Sequence, residues 1–559
     1  MSNLLLISFF DKISNKNKES FLNFKSIGKL DIIKNSYEGR KIIVMKIKNK
    51  KIILFWLLII IGIAVRIYQF PVAINELNTD EIMTIINAKS IADTGKEISG
   101  ISFPVYLHGW GGQSVILLYL MALCIKILGY SLFAIRLPML IVSIIALFVF
   151  YDLCKKISKN QNIALIALGL VIICPWQILQ SIWALDCNMF PHFLLFAIDL
   201  LYTGIMQKKT SKLYLSMVLF AICLYGYGVA IYFVPIFLLV LAIYLLKMKY
   251  IKIKEIMISA IIFFIFSMPI ITMFAINVLH IDKSIQLGII TIPYYESLQR
   301  TKDMLLFSPD PLHQLVKNIL STIWVVLAQT DGAEWNSAKL FGTTYHITLL
   351  FVIIGIVALV KQIKKDKKNI GNVMIFIWLG VSLLTGFLVN EVNINRINTI
   401  WYVLLISASY GMYALYEKIK YKKSYIMAIT IVYTICFMVY AVYFHTYYVQ
   451  VVAQSGCFSR GFYQSLNYVK ELDEKTVLYD NIKNDGCLEL YIQFNHDEHK
   501  TYEAIKEEDA LRQKMENLKE DEILIVDIEF KQYKTPYVSK QIGDFLIIQA
   551  DYIDKNLDT

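Results

Sequence analysis

Apolar positions in this chain come in unbroken runs, not in the three-to-four spacing of a soluble helix. A bilayer core of about 30 Å takes roughly 20 apolar residues per helix. By that measure eleven spans are expected: 52–70, 133–154, 163–180, 190–206, 213–225, 230–246, 256–276, 345–360, 370–389, 399–415 and 425–443. Compact basic segments separate them: Lys155, Lys156 and Lys159; Lys208, Lys209 and Lys212; residues 247–254; 361–368; 418–423. Lys46, Lys48, Lys50 and Lys51 precede the first span. Short Lys/Arg-rich loops stay cytoplasmic, and this rule orients the chain. The apolar run 115–128 is too short to cross comfortably, and a crossing there would place the later basic loops opposite the N-terminus. It is therefore read as interfacial. The outer side then receives loops 71–132, 181–189, 277–344 and 390–398, together with the tail.

Two stretches break the spanning pattern. A surface-lying amphipathic helix is expected from near Asn78 to Gly95, with Ile82, Ile85, Ile86 and Ala92 on one face. The tail alternates as a small α/β unit, with strands at 476–479, 523–528 and 545–549 and a helix at 503–518. The expected domains are a basic cytoplasmic arm (1–51), a transmembrane catalytic domain (52–443) and an acidic extracytoplasmic α/β domain (444–559). Met45 opens a basic run directly before the first span and reads as a natural start. No signal peptide is evident in the first fifty residues.

Composition agrees. The 559 residues are 57% hydrophobic and 18% charged, against about 45–50% and roughly 25% in soluble domains. A soluble enzyme, a disordered chain, a collagen and a small disulfide scaffold are excluded. The net charge of +11 hides an asymmetry: from residue 446 onward there are 13 Lys/Arg against 22 Asp/Glu, so the body is strongly basic and the tail acidic. Two solvent compartments explain this better than a nucleic-acid surface, and no nucleic-acid partner is expected. Cys457 and Cys487 share the polar tail and could pair; the other six cysteines lie in or beside apolar runs.

No Walker loop and no dinucleotide fingerprint is present, and the glycine-rich residues 108–114 read as a turn. Polar groups instead collect at the outer ends of spans. Asp80 and Glu81 open the amphipathic helix, where a capping role is the plain alternative: Glu81 lies three residues after Asn78, as in a capping box, and Asp80 suits the positive helix end. Asp186 and Asn188 occupy the next outer turn. Asp331 and Trp335 lie in the long loop, and Asn395 and Arg396 in the last turn. A carboxylate beside the membrane is solvated, paired or used, and an arginine suits phosphate or snorkels to the interface. Their recurrence on one side suggests a site for a polar group carried on a lipid.

The chain resembles a GT-C glycosyltransferase, the multi-spanning superfamily of protein O-mannosyltransferases and aminoarabinose transferases of lipid A (glycosyltransferase family 39-like). The resemblance rests on Thr79-Asp80-Glu81 after the first span, Phe133-Ala-Ile-Arg-Leu-Pro138, Cys174-Pro-Trp-Gln177 before the turn with Asp186, Tyr225-Gly-Tyr227 with Tyr232-Phe-Val-Pro235, and Asn393-Ile-Asn-Arg396. It covers roughly residues 52–443. It implies an α-helical polytopic GT-C fold and a polyprenyl-phosphate-linked sugar donor. The acceptor would be a protein, a glycan or a lipid at the outer face. It further implies Asp80 as the acceptor-activating base, Glu81 in support and Asp186 as second acid. A divalent cation, Mg²⁺ or Mn²⁺, would lie at Asp80 and Asp186. Arg396 and Arg136 are the candidates for the lipid phosphate, and Asn188, Asp331, Trp335 and Asn395 for other substrate contacts. Competing readings are a flippase or exporter of lipid-linked glycans, which would carry polar residues deep in several spans, and a non-catalytic envelope assembly protein acting through its tail. The expected location is a cell membrane, probed by multiple passes, in a bacterium.

Overall fold

The computed structural model describes residues 32–37, 40–45, 50–68, 70, 79–108, 112–296, 305, 308–333, 336–448, 461–482, 488–489, 491–492, 497–532 and 538–550. Asn78, Trp335, Cys457 and Cys487 lie outside them. Two compact units divide the chain, 1–57 and 58–559. The first contains an antiparallel pair, β1 (Ile32–Tyr37) and β2 (Arg40–Met45), with Ile32 opposite Met45 and Tyr37 opposite Arg40. No element was expected in this arm. Helix α1 (Lys50–Tyr68) begins here and continues into the second unit.

The second unit follows with α2 (Thr79–Thr94), α3 (Ile116–Leu128), α4 (Leu132–Ser158), α5 (Gln161–Ile172), α6 (Pro175–Ile182), α7 (Asp186–Met206), α8 (Thr210–Cys223), α9 (Ala230–Lys247) and α10 (Ile253–Val278). A short hairpin of β3 (Ile285–Leu287) and β4 (Ile290–Ile292) precedes α11 (Pro311–Ala328), α12 (Thr348–Lys365), α13 (Ile370–Leu388), α14 (Ile400–Lys418) and α15 (Lys422–Tyr443). A π-helical turn, Phe444–Tyr448, extends α15.

Every expected span contains helix, and the count of eleven is not confirmed. Among the described residues seven helices are long and apolar enough to cross a membrane: α1, α4, α7, α9, α10, α13 and extended α15. The bent pair α5–α6, turned by 56°, makes an eighth if it is one span. The difference has local causes. Helix α8 has only 14 residues, α12 ends in Lys361, Lys364 and Lys365, and α14 mixes Ser407, Ser409 and Tyr410 into its apolar run. The run at 115–128 forms the 13-residue α3, shorter than a span.

The α5–α6 bend follows from Cys174-Pro175, since proline favours the first turn of a new helix and cannot continue an old one. Val171 O still accepts from the Cys174 N–H (3.4 Å), but the bend leaves the last carbonyls of α5 short of helical donors. Arg66, fully buried at the end of α1, supplies them. Its guanidinium donates to Val171 O (3.3 Å), Ile172 O (3.4 Å) and Gly62 O (2.8 Å), and to the Gln177 side chain on α6. Gln177 in turn donates to Ser143 O of α4 (3.2 Å).

The tail contains α16 (Phe462–Lys470), β5 (Thr476–Asp480), β6 (Thr501–Ile505), α17 (Glu508–Glu516), β7 (Glu522–Asp527), β8 (Val538–Ile542) and β9 (Phe545–Gln549). The sheet order is β6-β5-β7-β9-β8; β5 runs parallel to β6 and β7, and β9 antiparallel to β7 and β8. The first part of the expected helix 503–518 is instead strand, because Thr501–Ile505 pairs residue for residue with Thr476–Asp480. Successive side chains alternate faces. Val477, Ile523, Ile525 and Ile547 pack with Phe462 and Leu466 of α16. Leu478, Leu524, Val526 and Ile548 pack with Leu511 and Met515 of α17. The first of these faces is continuous with Ile82, Ile85 and Ala88 of α2 and with Leu118 and Met121 of α3 in one buried cluster. The acidic tail and the first loop share a core.

Candidate functional site

Helix α2 buries Ile82, Ile85, Ala88 and Ile91 along one stripe and stops at Gly95, whose φ of +75° suits a glycine after a helix. That stripe fixes the rotation of its first turn. Glu81 points inward and is fully buried, while neighbouring Asp80 is exposed.

The Glu81 carboxylate meets Arg136 on the first turns of α4. Arg136 Nε donates to Oε1 (2.9 Å) and Nη2 to Oε2 (3.0 Å), with both side chains fully buried. The Ala184 N–H adds a third bond to Oε1 (3.0 Å). The guanidinium carbon of Arg136 also lies 5.1 Å from the Trp183 ring centre, and the Trp183 indole donates to the Tyr448 hydroxyl (3.1 Å). One ionic pair thus ties α2, α4, the α6–α7 turn and the end of α15. Arg136, expected at a lipid phosphate, is engaged inside the protein.

Asp186 begins α7, where a carboxylate complements the positive helix end. It is 7% exposed, and its Oδ2 accepts from the Ser114 N–H (3.2 Å). The adjacent Gln113 side chain donates to Asp80 O (3.0 Å) and to Thr84 Oγ1 (2.7 Å). Residues 113 and 114 therefore draw the start of α2 and the start of α7 together. They can do so because Leu107 and Gln113 exchange two backbone hydrogen bonds (2.9 and 3.0 Å). Asn188 is buried and donates to Trp183 O (3.0 Å), bracing the same turn. The nearby wall includes Tyr295, whose hydroxyl donates to Tyr106 O (2.7 Å) and whose ring sits edge-on to His108. Burial, with Glu97 adding to it, pushes this phenol well above its ordinary range.

The remaining candidates form a second group. Asp331 Oδ1 accepts from Ala333 N–H (3.0 Å), and Oδ2 from the Asn336 side chain (2.9 Å) and Ile394 N–H (3.0 Å). Asn395 donates to Asn336 Oδ1 (3.0 Å). Arg396 is half-buried and donates to Glu391 O (2.9 Å). Asn398 connects this turn to the first group by donating to Cys187 O (2.7 Å). Among the described residues no group of three or more His, Cys, Asp or Glu side chains converges on a point suited to a metal ion.

Sequence reasoning missed Gln113, Ser114 and Ala184 as organisers. Two of these contacts use backbone N–H groups, which carry no residue signature. Gln113 did stand at the end of the glycine-rich stretch, and that stretch was the available signal.

Residues 113–272 match the family model described as dolichyl-phosphate-mannose-protein mannosyltransferase (PMT_2). The structure is similar to ArnT from Cupriavidus metallidurans bound to undecaprenyl phosphate, with a TM-score of 0.54 and 9% identity over 89% of this chain and 97% of that one. It is also similar to the apo Archaeoglobus fulgidus oligosaccharyltransferase, with a TM-score of 0.48 and 12% identity over 87% of this chain and 70% of that one. The sequence matches no curated protein. The chain shares the GT-C fold of ArnT, and its residues 113–272 resemble the PMT_2, glycosyltransferase family 39-like domain.

Proposed function

We propose that the protein transfers a sugar from a polyprenyl-phosphate carrier to an acceptor hydroxyl at the extracytoplasmic face. The observation carrying this reading is that Gln113 and Ser114 draw the starts of α2 and α7 together, through the Asp80 backbone carbonyl and the Asp186 carboxylate, with Ser114, Arg136 and Asp186 inside the PMT_2 match. The ArnT relative, solved with undecaprenyl phosphate, supports the donor class. The basic loops support the choice of face.

In the proposed step the acceptor oxygen attacks the anomeric carbon and the bond from that carbon to the phosphate oxygen breaks, with inversion. The acceptor proton passes to Asp80, and the polyprenyl phosphate leaves as an anion. A positioned base of this kind contributes about 10²–10⁴-fold. Arg396 would meet the phosphate, since guanidinium pairs well with its oxygens. Glu81 and Arg136 hold α2 and α4 in register, so that Asp80 faces the acceptor. Asp331, Asn395, Asn188 and Trp335 would shape the sugar and acceptor contacts. A divalent cation would be held by Asp80 and Asp186, whose hard oxygens suit Mg²⁺ or Mn²⁺, and would supply positive charge against the leaving phosphate.

The direct test uses purified protein, radiolabelled polyprenyl-phosphate sugars and a membrane extract, with identification of the labelled product. Transfer from the lipid carrier is expected. Absence of transfer from every polyprenyl-phosphate sugar offered, by a well-folded preparation, would overturn the reading.

A further inference from the structure

Helices α7 to α10 enclose an apolar cleft of about 300 Å³. That is at the small end of ligand pockets, which run about 300–1,000 Å³. Its walls include Met217, Leu241, Leu245, Ile256 and Phe263. One polar side chain interrupts them. Ser259 lines the cleft, is 7% exposed, and its hydroxyl has no hydrogen-bond partner among the described residues. A helical serine commonly bonds back to a carbonyl one turn earlier, so an unbonded hydroxyl in an apolar cleft calls for a partner from outside the protein.

The charge around the cleft is predominantly basic, with Asp366 beside Tyr244 and Tyr250 outnumbered by lysines. Leu245 and Ile256 in its wall bracket the connection between α9 and α10, which carries Lys247, Lys249, Lys252 and Lys254, all exposed. Leu213 in the wall directly follows Lys212. The Tyr244 hydroxyl donates to Lys367 O (3.0 Å) and the Tyr250 hydroxyl to Lys368 O, which brings the basic turn after α12 alongside. The nearest acid in the connection, Glu255, already accepts from the Lys252 N–H (2.8 Å).

We propose that this cleft binds one anionic phospholipid. An acyl chain would lie along the apolar walls, a glycerol ester oxygen would accept from Ser259, and the phosphodiester headgroup would meet the lysines of residues 247–254. Charge complementarity selects this occupant. Any phospholipid satisfies the walls, but only an anionic headgroup satisfies a rim with this excess of lysine, and lysines near an anionic surface each contribute measurably to attraction.

The test is native mass spectrometry of the full-length protein from nanodiscs of equal phosphatidylglycerol and phosphatidylethanolamine. Wild type should retain one phosphatidylglycerol in preference to phosphatidylethanolamine. A variant with Lys247, Lys249, Lys252 and Lys254 all changed to Gln should lose that preference, on the order of ten-fold. Ser259→Leu should lower retention of both lipids by filling the cleft. The lysines are exposed, so their replacement leaves the packed core untouched, and a monodisperse elution profile confirms a folded variant. Equal retention of the two lipids by wild type, or an unchanged preference in the lysine variant, would overturn the proposal. So would retention of a polyprenyl phosphate alone when it is added to the nanodiscs.

Discussion

Glu81 and Arg136, fifty-five positions apart, face each other through two hydrogen bonds in complete burial, and Ala184 donates a third bond to the same carboxylate. A lone charge left there has no water to turn to. Removing one partner of such a pair costs about 3–5 kcal/mol. Glu81→Leu and Arg136→Leu should each lower the thermal unfolding temperature in detergent. The double variant should fall by less than the sum, because it leaves no orphaned charge. Additive losses would show that the two side chains act independently.

Asp80 and Asp186 should separate chemistry from architecture. Asp80→Asn is expected to unfold at the wild-type temperature and to lose about 10²–10⁴-fold in turnover, the contribution of a positioned base. Asp186→Asn keeps an oxygen for the Ser114 N–H, so its structure should persist while its turnover drops. Undiminished turnover of Asp80→Asn in a labelled-sugar assay would reject its role as base.

Arg66 should behave as a structural cation. In Arg66→Met the Ile172 carbonyl at the α5–α6 bend loses its guanidinium donor, while Val171 O keeps the Cys174 N–H (3.4 Å); an orphaned buried group costs about 1–3 kcal/mol. The variant should be less stable and, because α6 leads directly into Trp183, Ala184 and Asp186, less active. Arg66→Lys should recover part of the stability, since an ammonium reaches fewer carbonyls than a guanidinium fork. Thermal unfolding of the three proteins side by side checks the order.

Helices α12 and α14 cross at glycines. A Cβ added at Gly355 would stand 1.7 Å from Ser407 O, and one at Gly411 would stand 2.0 Å from Phe351 O. Backbone cannot yield as a flexible side chain can, and small residues permit such close approach between membrane helices. Gly355→Ala and Gly411→Ala should each destabilise by about 1–3 kcal/mol or more. Gly380→Ala, where nothing lies within 4 Å of the added carbon, is the matched control and should unfold at the wild-type temperature.

The linear pattern was enough for whatever depends on neighbours along the chain. Runs of apolar residues marked the helices, and the tail pattern marked three of its five main-sheet strands, β5, β7 and β9. The same local logic failed at Thr501–Ile505, where pairing with β5 outweighed a helical charge pattern. Among the described residues fewer helices reach the length and hydropathy of a membrane span than the apolar runs suggest, because helices such as α14 mix polar residues into the run. Asp80 and Glu81 illustrate the limit most sharply. As adjacent acids they were equivalent candidates in the sequence. The tertiary structure separates them, because burying Ile82, Ile85, Ala88 and Ile91 fixes the rotation of α2 and turns one carboxylate to Arg136 and the other outward. Contacts such as Ser114 N–H to Asp186, or Arg66 to the carbonyls of α5, join residues some seventy to more than a hundred positions apart through backbone atoms that every residue shares. Only folding brings those atoms together, so only the fold could reveal them.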